Sequence, residues 1–203
     1  MDKSYLRMAL VFLSLLIFAQ VASAASKGIY VTQWNFENTS FVKYLIKNAK
    51  EAGIDTFIVD LELPGHKKYQ QNIELLKENN IKYVARVIIF PNGGTPTAIK
   101  TPEIWQKKYR LVQQAVDYGA KEIQLDYIRY RSAQQASANN SKDILNIIQW
   151  YKSKLVGQNI PLQIDVFGIT SFGESKHIGQ NIKLFSQTVD AICPMVYPSH
   201  YWP

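Results

Sequence analysis

Residues 83–90 read Tyr-Val-Ala-Arg-Val-Ile-Ile-Phe, and this stretch decides the fold class. Its β-branched and aromatic residues predict a strand. Apolar side chains fall on both alternating faces, and residues 57–59, Phe-Ile-Val, repeat the pattern. Such strands suit a parallel sheet covered on both sides, not an antiparallel sheet with one face in water. The sequence therefore predicts an α/β fold.

Segments rich in β-branched and aromatic residues occur six times along the chain. Strands are predicted at residues 28–32, 56–63, 83–90, 122–130, 162–168 and 191–198. Segments with helical periodicity separate them: one before Gly53, one at about 70–78, one from 101 to 119, one from 141 to 157, and one that contains Ile178, Ile182 and Phe185. Strands and helices that alternate in this way form a doubly wound sheet or a barrel.

Two features favour the barrel. No glycine-rich phosphate loop follows the first strand, as it usually does in a dinucleotide-binding sheet. Polar residues cluster at the carboxyl ends of several strands, where a barrel builds its site. A full barrel has eight strands in about 250 residues. The prediction is therefore a TIM-type (β/α) barrel that is incomplete, with about six βα units.

The N-terminus has the pattern of an export signal. Lys3 and Arg7 precede the apolar run 8–18, and Ala22-Ser-Ala24 matches a signal peptidase site. We expect a signal peptide at residues 1–24, a barrel domain at 25–203, and a secreted or periplasmic protein without a membrane span after cleavage. The alternative is a retained N-terminal anchor, although the run is short for a bilayer that needs about 20 residues.

Composition narrows the classes of partner. The formal net charge of +7 favours anionic partners such as acidic glycans or membrane surfaces, or else reflects a solvated positive face. No basic block is interleaved with aromatics, so we expect no nucleic-acid binding. Cys193 is the only cysteine, and the three histidines lack ligand spacing, so neither a metal nor another cofactor is expected.

Carboxylates near the predicted strand ends are the candidates for chemistry. Asp126 lies late in the fourth strand and Asp165 late in the fifth. Glycoside hydrolysis needs two carboxyl groups that flank the scissile bond, so these two are the candidate catalytic pair. The alternative for each is a salt-bridged strand end, and for Asp126 the partner could be Arg129 or Arg86.

Other polar and aromatic residues are candidates for substrate contacts. Asp60 and Glu62 end the second strand, where the alternative is that they cap the turn at Pro64. Trp34, with Tyr30 and Gln33, lies near the end of the first strand, and aromatic rings at a barrel mouth stack on sugar faces. The predicted substrate-binding set is Asp60, Glu62, Arg86, Arg129, Tyr197, His200 and Trp34. Tyr197 and His200 belong to the aromatic segment 193–203, whose alternative is a packed terminal loop.

Five strings of residues resemble one family in their order. They are KGIYVT at 27–32, ARVIIF at 85–90, EIQLDYIRY at 122–130, DVFG at 165–168 and PMVYPSHY at 194–201. They are similar to the glycoside hydrolase family called domain of unknown function 4015, itself distantly similar to the α-amylase superfamily. The resemblance implies a barrel that acts on, or binds, polysaccharide outside the cytoplasm. It places Asp126 at the nucleophile position and Asp165 on the strand that carries the acid.

The sequence departs from the family pattern in three places. The family continues beyond the Ser-His-Tyr segment into further strands. Leu61-Glu62-Leu63 stands where the family often has Lys-Asp-Asp, and Asp165 is one methylene shorter than the usual glutamate acid. Two alternatives to a hydrolase therefore stay open: a non-catalytic carbohydrate-binding protein or truncated barrel remnant, and a domain that closes its barrel as an oligomer.

Overall fold

The structure, a computed structural model, describes residues 26–197. Six parallel strands form one sheet in the order β1 to β6. They are β1 Gly28–Val31, β2 Thr56–Asp60, β3 Lys82–Ile88, β4 Glu122–Asp126, β5 Leu162–Phe167 and β6 Ala191–Met195. The sheet curls into an open half-barrel, which confirms the predicted incomplete (β/α) barrel. The predicted signal peptide and His200 lie outside the described residues.

Helices connect the strands. They are α1 Gln33–Phe36, α2 Thr39–Ala52, α3 Lys67–Glu78, α4 Pro96–Lys100, α5 Pro102–Gln106, α6 Tyr109–Asp117, α7 Ala138–Val156 and α8 Ile182–Phe185, with a short 3-10 helix at Gly168–Ser171. The Asn38 side chain caps α2 by accepting from the Phe41 N–H, and left-handed Gly53 ends it. In the part of the chain that is described, no helix is long and apolar enough to cross a membrane.

The two faces of the sheet differ in character. Phe57, Val59 and Ile123 belong to the face that the helices cover, and each is fully buried. Alternate residues such as Lys82, Glu122 and Gln163 line an open groove on the concave face. Strand side chains alternate between faces, so one strand supplies both core and groove. The core therefore lies between sheet and helices, and the concave face is free to form a site.

The predicted helices at 101–119 and around Ile178 need correction. Residues 102–117 form two helices, α5 and α6, separated at Lys107 and Lys108. Ile178 lies in the loop before α8, and its carbonyl accepts a hydrogen bond from the Tyr130 N–H. Ile178 is apolar because it is buried in that loop, and an apolar residue at this spacing resembles the core position of a helix.

Candidate functional site

Arg86 on β3 lies at the centre of three carboxylates. Its Nη1 donates to Asp60 Oδ1 at 2.5 Å, its Nη2 to Asp126 Oδ2, and its Nε to Asp165 Oδ2 at 3.3 Å. The aspartates come from the carboxyl ends of β2, β4 and β5, so parallel strands bring them to one rim. Burial lowers the pKa of Arg86, but the charges of the three aspartates outweigh it, and the net shift is upward.

Asp60 is held from both sides. The Tyr30 hydroxyl donates to Asp60 Oδ2, and the Arg86 guanidinium lies 5.0 Å from the centre of the Tyr30 ring. Behind the strand, the Tyr69 hydroxyl donates to the Asp60 carbonyl oxygen at 3.1 Å. Burial and the bond to Asp60 raise the pKa of Tyr30. Tyr30 is therefore a neutral donor that orients this carboxylate.

Asp126 takes donors on both oxygens. Besides Arg86 on Oδ2, the Tyr127 N–H donates to Oδ1 at 2.5 Å. Tyr127 adopts a left-handed conformation with φ of 52°, which ends β4 directly after the aspartate. The Asp126 side chain is consequently fixed at the rim, with its position set by backbone as well as by charge.

Asp165 is a buried carboxyl group whose pKa is raised. Gln124 Nε2 donates to Asp165 Oδ1 at 2.6 Å, and the residue is 5% exposed. Burial raises the pKa of Asp165 to about 6, with the charge of Asp126 adding to the shift and the bonds from Gln124 and Arg86 opposing it. Asp165 can therefore hold and release a proton near neutral pH.

A groove of about 490 Å³ runs along the concave face beside these residues. Tyr30, Arg86 and Asp165 line one part of it. Deeper in, Lys82 Nζ lies 3.0 Å from Glu122 Oε1, and Gln163 donates to the same carboxylate. A closed barrel fills this space with branched apolar side chains. Here charged and polar side chains share the lining with apolar ones and the groove is open, which suits a sugar with its hydroxyl groups and C–H faces.

The other predicted site residues that the structure describes lie in different places. Arg129 is buried there, with its guanidinium 5.2 Å from the Tyr127 ring centre and 4.9 Å from that of Phe167. Tyr197 lines the groove. Glu62 is exposed, and its N–H donates to Gln33 Oε1. Trp34 is 87% exposed and lines a separate depression beside the α2 N-terminus.

The structure therefore brings together Asp60, Arg86, Asp126 and Asp165 and leaves Trp34 apart. The sequence left the partner of Asp126 open between two arginines, and the bond is made by Arg86. The bond from Gln124 to Asp165 was missed, although Gln124 lies two residues before Asp126 and hence on the same face of β4. Among residues 26–197, no group of three or more His, Cys, Asp and Glu side chains is arranged to hold a metal ion.

This arrangement has the parts of a carboxylate pair for acid–base chemistry. Asp165 is a carboxyl group with a raised pKa, and Asp126 is a carboxylate fixed beside it through a shared guanidinium. Two carboxyl groups whose environments differ can take the separate roles of acid and nucleophile or base.

Comparisons with known proteins agree with this fold and with a glycoside hydrolase family. Residues 96–203, more than half of the chain, match a family described as "Putative glycosyl hydrolase domain", domain of unknown function 4015. A comparison with curated proteins found no match.

Among solved structures, the chain resembles the C-terminal domain of a "putative chitinase" from Desulfitobacterium hafniense, with TM-score 0.65, 14% identity, and coverage of 87% of this chain and 56% of that one. It also resembles catalytic domain 2 of a group II chitinase from Ostrinia furnacalis, with TM-score 0.59, 13% identity, and coverage of 86% and 51%. The chain thus spans about half the length of these two relatives.

A third likeness is to an enzyme with a different name. The carboxyl transferase domain of Rhizobium etli pyruvate carboxylase aligns with TM-score 0.53 and 18% identity over 82% of this chain and 26% of that one. At these identities the structural likenesses show the fold alone, because barrels host many chemistries.

Proposed function

The chain belongs to the family of domain of unknown function 4015, the "Putative glycosyl hydrolase domain", and from that membership we propose that it hydrolyses an extracellular or cell-envelope polysaccharide by paired-carboxylate chemistry. Asp165 acts as the general acid and then the base, and Asp126 as the nucleophile or stabiliser of the transition state. Asp60, held by Tyr30, orients the substrate at the neighbouring strand end.

One observation carries the proposal: the proton-holding Asp165 shares the Arg86 guanidinium with Asp126. A general acid must be protonated before reaction, and a pKa of about 6 keeps part of the Asp165 population protonated near neutral pH. Arg86 meanwhile offsets the charge of Asp126, so two carboxyl groups can stay close together.

The site of action is part of the same proposal. It is supported by the signal-like sequence of residues 1–24 and by the open groove, which a long chain of sugars can enter from the side. The likeness of the fold to the two chitinase domains makes polymers of amino sugars a natural part of the first panel.

The experiment is reducing-sugar release from a panel of envelope and extracellular polysaccharides, with Asp126→Asn beside the wild-type protein. We expect release to fall at least about 100-fold in the variant, because removal of one catalytic side chain can lower the rate of a hydrolase by several orders of magnitude. Asp117→Asn is the matched control, because Asp117 is an exposed aspartate on α6. The wild-type rate should fall as pH rises through about 6, where Asp165 loses its proton.

A second candidate function is carbohydrate binding without turnover. The observation that favours it is that Arg86 pairs with all three aspartates at once, which is also how a purely structural cluster is built. Glycan binding that survives Asp126→Asn, with no product from the wild-type protein, would select this candidate. Equal release by the wild type and Asp126→Asn would overturn the hydrolytic role of Asp126.

A further inference from the structure

The two arginines at the rim differ in what they contact. Arg86 has a carboxylate at each of its three nitrogens. The Arg129 side chain donates one hydrogen bond, from Nη1 to the Tyr130 carbonyl oxygen at 2.9 Å, and none of the carboxylates in residues 26–197 lies within 4.0 Å of its nitrogens. A guanidinium carries five N–H donors, so most donors of Arg129 are unused.

A buried arginine with unused donors lowers the stability of the folded protein unless a ligand binds it. Arg129 is 7% exposed, and burial lowers its pKa, with Tyr127 and Asp126 opposing that shift. A buried charge is ordinarily paired or hydrogen-bonded. Within the described part of the chain, the one fully buried side-chain polar atom without a partner is Asn72 Oδ1, so the unused Arg129 nitrogens are not completely buried. Arg129 is thus a largely buried cation whose unused donors keep some contact with solvent.

The surroundings of Arg129 place those donors in the candidate site. One flanking ring, Tyr127, directly follows Asp126, and the other, Phe167, lies two residues beyond Asp165 and so on the same face of β5. Gly93 lets the guanidinium pack closely, because a Cβ there would stand 2.6 Å from Arg129 Nη1. Two rings and a glycine therefore surround the guanidinium beside the candidate site.

A guanidinium with unused donors is suited to a planar anion. Two parallel N–H groups along its edge match the two oxygens of a carboxylate. The nearby charge of Asp126 opposes any anion there, and the unpaired charge of Arg129 offsets this. Building on the proposed hydrolytic function, we propose that Arg129 binds a carboxylate of the substrate, which makes the substrate an acidic, uronate-bearing polysaccharide.

The first test compares ligands on the unaltered protein. Binding of uronate-containing oligosaccharides is measured by calorimetry, and the same oligosaccharides are measured after chemical reduction of their carboxyl groups to alcohols. We expect the charged form to bind at least about tenfold more tightly, because a bidentate hydrogen-bonded pair between two charged groups is stronger than a neutral hydrogen bond. Equal affinity for both forms would overturn the inference. The inference would also be overturned if the protein bound poly(glycerol phosphate) and none of the uronate-containing oligosaccharides.

The second test uses variants. Arg129→Gln and Arg129→Lys should each lose the preference for the charged form, because lysine keeps the charge but not the planar pair of donors. Arg131→Gln is the matched control, since Arg131 is an exposed arginine two residues along the same loop. A loss as large in Arg131→Gln as in Arg129→Gln would mean nonspecific attraction and would contradict the inference.

The outcome is separable from that of the proposed function. Binding needs no turnover, so it can be measured in Asp126→Asn. If the wild-type protein prefers uronates but hydrolyses none of the polysaccharides, the role of Arg129 is supported and the hydrolytic role of Asp126 is overturned. If the wild-type protein hydrolyses only neutral polysaccharides and Asp126→Asn does not, the role of Asp126 is supported and that of Arg129 is overturned. Circular dichroism of each variant checks that it is folded, and the ligand comparison on the unaltered protein stands even where a variant is not.

Discussion

Arg86 shows how one residue sets the properties of its neighbours. Three aspartates around one guanidinium carry more negative charge than a single arginine neutralises, and all three are buried. The excess is relieved where burial and the charge of Asp126 act together, at Asp165, whose pKa rises to about 6. The raised pKa of Asp165 thus follows from its burial and from its position beside Asp126.

The raised pKa of Asp165 makes stability depend on pH in a defined direction. The folded carboxyl binds its proton more tightly than the unfolded one, so its contribution to stability falls as pH rises from about 4 to about 6. Above that window the ionised group costs up to about 3 kcal/mol. We predict that Asp165→Asn gains stability relative to wild type across this window, measured as the free energy of unfolding in urea at several pH values.

Asp55 supplies the contrast for that measurement. Hydrogen bonds from Ser26 and then Thr56 lower the pKa of Asp55, so its contribution to stability is present at neutral pH and is lost as pH falls. Asp55→Asn should therefore show a difference from wild type that changes with pH in the opposite direction. A flat difference for Asp165→Asn would show that its proton affinity is the same in the folded and unfolded chain.

At the scale of elements, Gly179 fixes the loop between β5 and α8. Its φ is +67°, and a Cβ would lie 2.6 Å from the Asn140 carbonyl oxygen at the start of α7. The next residue, Gln180, accepts from the Phe167 N–H and so supports the end of β5. The close approach of this loop to α7 therefore holds the strand end that carries Asp165.

We predict that Gly179→Ala destabilises the protein by about 2 kcal/mol or more, because it adds both strain and a clash with backbone. Gly173→Ala in the same loop should change stability by no more than about 1 kcal/mol, since nothing lies within 4 Å of its added Cβ. Denaturant midpoints of the two variants provide the comparison. Similar losses in both would show that the loop is uniformly sensitive to added side chains.

The strands were predictable from sequence at their beginnings more than at their ends. Five of the six begin at the predicted residue, and β3 begins one residue earlier. The predicted ends run too far because the following loop residues are also apolar: Leu61, Ile89 and Ile128 are nearly or fully buried although no strand contains them. The left-handed turn at Tyr127 left no signal in residue type, since tyrosine seldom adopts it.

The site was predictable as a set of carboxylates but not as a network. Strand-end positions identified Asp126 and Asp165, because the carboxyl ends of parallel strands converge on one rim. The three-way pairing of Arg86 depends on how strongly the sheet curls, and sequence periodicity carries no information on curvature. For the same reason, the sequence could not distinguish Arg86 from Arg129 as the partner of Asp126.

At the scale of the whole molecule, the half-barrel has one packed face and one open face. Adjacent residues of β4 illustrate this: Ile123 is fully buried under the helices, and Glu122 lines the groove. We predict that Ile123→Ala lowers the free energy of unfolding by about 2–5 kcal/mol, whereas Glu122→Ala lowers it by less than about 1 kcal/mol. Chemical denaturation of both variants tests this contrast. A comparable loss for Glu122→Ala would show that the concave face is covered in solution.

The overall fold was predictable because the order of elements left few alternatives. Six strands separated by helices require parallel pairing with crossovers, and the observed sheet keeps its strands in chain order. A doubly wound sheet would instead reverse its strand order at a switch point. The architecture therefore follows from alternation along the sequence, while helix breaks such as that between α5 and α6 depend on packing.

Because strand order matches chain order, the four charged residues of the site lie on β2 to β5, each of which is hydrogen-bonded to a neighbour on both sides. Local unfolding begins at sheet margins, where a strand has one partner to lose. Fraying of β1 removes only Tyr30 from the cluster, and fraying of β6 removes none of its charges. The amides around Asp126 should consequently exchange with solvent deuterium among the slowest in the molecule. The candidate site would then lie on the strands that unfold last.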